Sequence, residues 1–180
     1  MRLDGFDYAS DANYFLTIVT AGRSCVLGMV ANDEVVLSPI GRIVEQIWLA
    51  TPSIRQEVRL GPFVVMPNHL HALVELRTDA SQQTVAPALA PLKGPGRRSI
   101  ASLVGGFKAA ATLECRRAGV IGPDQPLWQR NYYEHIVRGS DDWSAIEAYI
   151  DQNPQRWSED RENTDLSQWA GDLPVAPTGR

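Results

Sequence analysis

The chain has 180 residues, 44% of them hydrophobic and 21% charged, which suits one globular domain with its own core and excludes disorder throughout. A net charge of −4 is unlike that of a protein that handles DNA, since phosphate binding draws on clustered Lys and Arg. No apolar run approaches the ~20 residues needed to cross a bilayer, and the opening MRLDGFDYASDANYF has no signal or transit pattern. A cytoplasmic location without a membrane partner is therefore expected.

In chain order, Asn13 to Ala21 (NYFLTIVTA) reads as a strand of β-branched and aromatic residues. Ser38 to Ala50 sets Ile40, Ile43, Val44, Ile47 and Trp48 at helical spacing behind a Ser-Pro start. Val58 to Leu76 divides at Met66-Pro67-Asn68 into the two strands of a hairpin, because proline cannot donate to a ladder. Residues 77–98, rich in Pro, Ala and Gly, read as a long flexible loop. Ser99 to Gly119 carries Ile100, Leu103, Val104, Phe107 and Ala111 on one stripe, a helix that Gly105-Gly106 weakens. Leu127 to Arg138 reads as a strand. Ser140 to Gln152 reads as a helix capped by Ser140 and stopped at Asn153-Pro154. The order strand, helix, strand, strand, helix, strand, helix predicts an α+β, ferredoxin-like split βαβ sheet (β-α-β-β-α-β), antiparallel, with an additional C-terminal helix. The domain is expected over 1–157, with an acidic tail over 158–180.

Charge is unevenly spread. Residues 93–138 hold eight Lys and Arg against three Asp and Glu, whereas 139–180 hold three against nine. A basic middle can face a polyanion while an acidic tail lies elsewhere. Arg97, Arg98, Lys108, Arg116, Arg117 and Arg130 are the candidate phosphate contacts. Cys25 and Cys115 make no CxxC and are expected as reduced thiols without a function.

The chemical signal is His69-Leu70-His71. Residues two apart on a strand share a face about 6.5 Å apart, so both imidazoles can reach one metal ion. Leu70, Ala72, Val74 and Leu76 make the opposite face wholly apolar. The pair alone leaves a structural role open. Tyr149 and Asn153 stand four apart, on one face of the last helix, where a core tyrosine and a cap would serve equally well.

Four blocks in this order, MPNHLHALVEL, GFKAAAT, LWQRNYYEHIVR and YIDQNPQRW, resemble the REP-associated tyrosine transposases, a branch of the single-tyrosine HUH transposases, from about Tyr14 to about Trp157. HUH denotes His-hydrophobic-His. The resemblance implies that His69 and His71 are metal ligands, that Asn153 is the third, and that Tyr149 is the nucleophile. It also implies a divalent ion, Mg²⁺ or Mn²⁺, and a single-stranded or hairpin DNA substrate cut through a 5′-phosphotyrosine link. Relatives occur as monomers and as homodimers. Tyr132 and Tyr133 are competing nucleophiles, and His135 reads as a structural histidine. A non-catalytic nucleic-acid-binding module on the same fold, a host-recruited regulator and a metal hydrolase are the rival readings.

Overall fold

In the computed structural model, residues 12–77 and 99–163 are described. Most of the 77–98 loop, Arg97, Arg98 and the tail beyond Asn163 lie outside them. Among the described residues no helix is long and apolar enough to cross a membrane.

Four strands form the main sheet: β1 (Ala12–Val19), β4 (Val58–Val65), β5 (His69–Leu76) and β6 (Tyr133–Val137). Their order is β4-β5-β1-β6, and every neighbour is antiparallel. The first strand thus sits between the third and fourth of the set, which is the split βαβ arrangement expected from the sequence. Helices α1 (Pro39–Ile54) and α2 (Ile100–Arg117) cover one face, while α3 (Gly139–Gln152) covers part of the other.

The period of two along each strand decides what each face holds. Tyr14, Leu16 and Ile18 of β1 pack with Leu70, Ala72, Val74 and Leu76 of β5 against Val44 and Trp48 of α1 and Leu103, Phe107 and Ala111 of α2. The alternate residues Phe15 and Leu73 meet Trp143, Ile146 and Ile150 of α3. A slip of one residue in β5 would exchange the histidines with this core, so burial of the apolar set fixes where the imidazoles point.

Helix starts follow local chemistry. Ser38 Oγ accepts the Gly41 N–H at 3.0 Å, and Ser99 and Ser102 form a reciprocal capping box. At α3 the cap expected at Ser140 is absent. The helix begins at Gly139, and Asp142 accepts the Arg138 N–H at 2.8 Å in its place.

Three further features depart from expectation. A small hairpin, β2 (Gly28–Ala31) and β3 (Glu34–Leu37), turns at Asn32 and Asp33, whose φ values of 52° and 62° suit a primed two-residue turn. The strand expected over Leu127 to Arg138 is regular only from Tyr133, because the carbonyls of Gln129 and Asn131 accept from Lys108 Nζ, each at 2.9 Å. Finally, residues 158–163 fold back against the domain: Asp160 and Asn163 are buried.

Candidate active site

The site is built on the α3 side of the sheet, where β5 presents His69 and His71 with ring centroids 4.2 Å apart. Both are buried. Each ring is held through Nδ1. Asn68 Nδ2 donates to the carbonyls of Arg23 and Glu162, which leaves Oδ1 facing His69 Nδ1 at 2.9 Å. An amide oxygen only accepts, so His69 carries its proton on Nδ1 and keeps a bare lone pair on Nε2. His71 Nδ1 lies 2.9 Å from Thr17 Oγ1, its cross-strand neighbour on β1.

Burial, reinforced by the Arg23 guanidinium, lowers the His69 pKa to about 3. Burial and the adjacent His69 hold His71 well below the ordinary histidine value, although Asp160 opposes the shift. Neutral imidazoles are what a divalent ion requires, and His69 Nε2 has no hydrogen-bond partner among the described residues.

Helix α3 brings Tyr149 and Asn153 to this pair. Its Trp143 packs over Gly61 of β4, where an added Cβ would come within 2.9 Å of the indole. Gly61 and Pro62 also interrupt the β4–β5 register between Leu60 and Phe63, which an edge strand tolerates. With Ile150 buried against the sheet, Tyr149 Oη stands 3.4 Å from His71 Nε2 of the same chain. Phe15 meets the Tyr149 ring edge-on at 6.1 Å. The phenol is pushed up to about 12, by burial first and by the Asp160 carboxylate second.

Asn153 Nδ2 donates to Asp160 Oδ2 at 3.0 Å, and Asp160 Oδ1 accepts the Glu162 N–H at 2.7 Å. Asp160 Oδ2 also lies 3.9 Å from His69 Nε2. Among the described residues, His69, His71 and Asp160 form a group able to hold a metal ion, with one ligand atom from each lying within 4.8 Å of the others. Two buried atoms in this cluster, His69 Nε2 and Asn153 Oδ1, have no hydrogen-bond partner among the described residues. Such orphans are costly unless something satisfies them. A bound divalent ion would do so, and two imidazoles with an amide and a carboxylate oxygen fit Mn²⁺ or Mg²⁺ as well as Zn²⁺.

The structure therefore brings together the four residues that the sequence singled out, His69, His71, Tyr149 and Asn153. It adds Asp160, Asn68 and Thr17, which the sequence reading missed. The position of Asn68 directly before His69 was one available signal, and the strand pairing of Thr17 another. Asp160 gave none, since its burial depends on the chain folding back after α3.

The other candidates lie apart. His135 Nε2 pairs with Asp142 at 3.0 Å, and the Tyr132 hydroxyl donates to Glu134 at 2.9 Å. Tyr133 is exposed on β6. Lys108, Arg116 and Arg130 converge on one trough beside α2, whereas Arg117 pairs with Glu114 at 3.6 Å on the exposed side of that helix. Cys25 and Cys115 are not joined in a disulfide; Cys25 is exposed and Cys115 buried.

No protein-family model matches the chain. It is 35% identical over 166 residues to an uncharacterized protein of Haemophilus influenzae, an alignment that covers 89% of this chain and 90% of that protein. A solved REP-associated tyrosine transposase, bound to a REP hairpin, superposes with a TM-score of 0.59 at 18% identity, covering 100% of this chain and 98% of the other. The chain thus belongs to one family with the Haemophilus influenzae protein and has the fold of a REP-associated tyrosine transposase.

Proposed function

We propose that the protein cleaves and rejoins single-stranded DNA, beside a hairpin formed by a palindromic repeat, through a covalent link to Tyr149. The observation that carries this reading is a phenol 3.4 Å from His71 in a pocket whose His69, His71 and Asp160 can hold a metal ion. The solved transposase of the same fold was bound to a REP hairpin, which supports hairpin DNA as the substrate class.

In this reading His69, His71 and Asn153 would hold the ion, with Asp160 as a further oxygen ligand. A divalent ion bound there would supply Lewis acidity to the scissile phosphate. Asn68 and Thr17 orient the two rings, a role that supporting partners of metal-bound histidines commonly fill. Tyr149 gives up its phenolic proton and attacks the phosphorus, the bond to the 3′-oxygen breaks, and that oxygen takes up a proton and leaves as a 3′-hydroxyl while a 5′-phosphotyrosine forms. Attack by another 3′-hydroxyl reverses the step and joins new ends without nucleotide energy. Lys108, Arg116 and Arg130 provide positive charge for the DNA backbone.

The test is a hairpin-tailed single strand incubated with Mn²⁺ and either the parent protein or Tyr149→Phe. A protein–DNA adduct formed by the parent alone is expected. Cleavage that survives in the variant would replace this reading with a metal hydrolase, and absence of cleavage in both would leave a binding module.

A further inference from the structure

A second feature lies on the opposite side of β1 from the paired histidines. Between α2 and the returning segment 126–130 runs an open trough of about 510 Å³. Lys108, Thr112 and Arg116 line it from one face of α2, and Arg130 lines it from the returning segment. Among the described residues no Asp or Glu lines it, although the chain as a whole carries a net charge of −4. Lys108 and Arg116 are eight residues apart, which on a helix is about 12 Å. That span matches three to four base-pair steps of a duplex at about 3.4 Å each.

Gly105 forms the lip of the trough, and an added Cβ there would meet no atom within 4 Å. Packing within the chain does not ask for glycine at this point, and a helix interior loses about 1 kcal/mol relative to alanine. Its absent side chain leaves the helix backbone open to close approach from outside. The floor of the trough connects directly to the histidine site. Trp128 bridges Thr20, Gln129 N–H donates to the Val19 carbonyl at 2.9 Å, and Val19 is the cross-strand partner of His69.

We infer that this trough cradles the duplex stem of the hairpin, gripping backbone phosphates through Arg116 and Arg130 without reading bases. The inference rests on the proposed DNA-cleaving function and specifies where its substrate is held. Lys108 shapes the cradle by tying the carbonyls of Gln129 and Asn131 to α2 and adds its charge to the rim. The stem end nearest Trp128 and Gln129 then lies one strand away from the imidazoles, so the adjoining single strand reaches Tyr149 around the β1 end.

The test measures hairpin binding against salt, in chelator and on a Tyr149→Phe background, so that cleavage does not enter. The double variant Arg116→Gln/Arg130→Gln is expected to lower the slope of log affinity against log salt by about two, equally for stems of unrelated sequence. Arg117→Gln removes the same kind of charge from the same helix outside the trough, and its slope is expected to match the parent. An unchanged slope in the double variant, or an equal fall with Arg117→Gln, overturns the cradle even if the parent forms a tyrosine adduct. A lowered slope confined to the double variant supports it even if no adduct forms.

Discussion

A histidine offers a metal only its unprotonated nitrogen, so what lies behind each ring matters as much as what lies in front. Asn68 and Thr17 occupy the rear nitrogens of His69 and His71, and both Nε2 atoms face Tyr149 and Asp160. Asp160 also disfavours ionisation of the phenol, so it would hinder Tyr149 in the proposed attack while its charge is uncompensated. Asp160→Asn is expected to weaken Mn²⁺ binding by tenfold or more, read by isothermal titration, and to bring the Tyr149 titration down from about 12. Unaltered affinity would remove Asp160 from the ligand set. The two histidines were legible in the sequence because strand alternation gives a side chain's direction with certainty once its apolar neighbours are known. Asp160 was not legible, since it sits in a stretch whose charge count reads as solvated surface and its burial comes from contacts far away in sequence.

At the scale of elements, the reach of α3 towards the paired histidines depends on how closely it lies on β4. Trp143 can approach only because Gly61 has no side chain. Gly61→Ala is expected to destabilise the fold by about 1–3 kcal/mol, the usual cost of overpacking, seen as a lower urea midpoint. The same variant should reduce adduct formation by displacing Tyr149, whereas a variant as stable as the parent would show that α3 docks independently of this contact. The helices and the central hairpin could be read from periodicity and proline placement. The β2–β3 hairpin was overlooked although Asn32-Asp33 between alternating residues is a turn signal, because four-residue strands give too few repeats for a period to stand out. The start of β6 was overextended for a different reason: aromatic composition favours a strand, but Lys108 had already taken the carbonyls that a ladder would use.

For the whole molecule, two neutral histidines inside the fold link stability to pH. The folded-state pKa of His69, about 3, lies below its ordinary 6.5, so the unfolded chain takes up a proton that the folded chain refuses. The stabilisation is complete above pH 6.5 and is lost progressively as pH falls towards 3. Between pH 7 and 5 the metal-free protein should lose about 2 kcal/mol through His69 alone, with a further loss through His71 in the same direction, measured from urea unfolding. A flat profile over that interval would show that the imidazoles are hydrated rather than buried. The division of charge along the chain, read from the sequence as a basic middle and an acidic end, also takes on a spatial meaning: three cations collect at one trough, while Asp160 and Glu162 fold back towards the histidines.

The short distance between Tyr149 and His71 within a single chain has a consequence for stoichiometry. With Tyr149 the one phenol at the paired histidines among the described residues, and both supplied by one polypeptide, a molecule working by the proposed chemistry holds one severed end at a time. Exchange between two DNA ends would then proceed in turns, the first end waiting on the enzyme until its successor arrives, and the lifetime of that waiting state would set how often a cut is simply resealed.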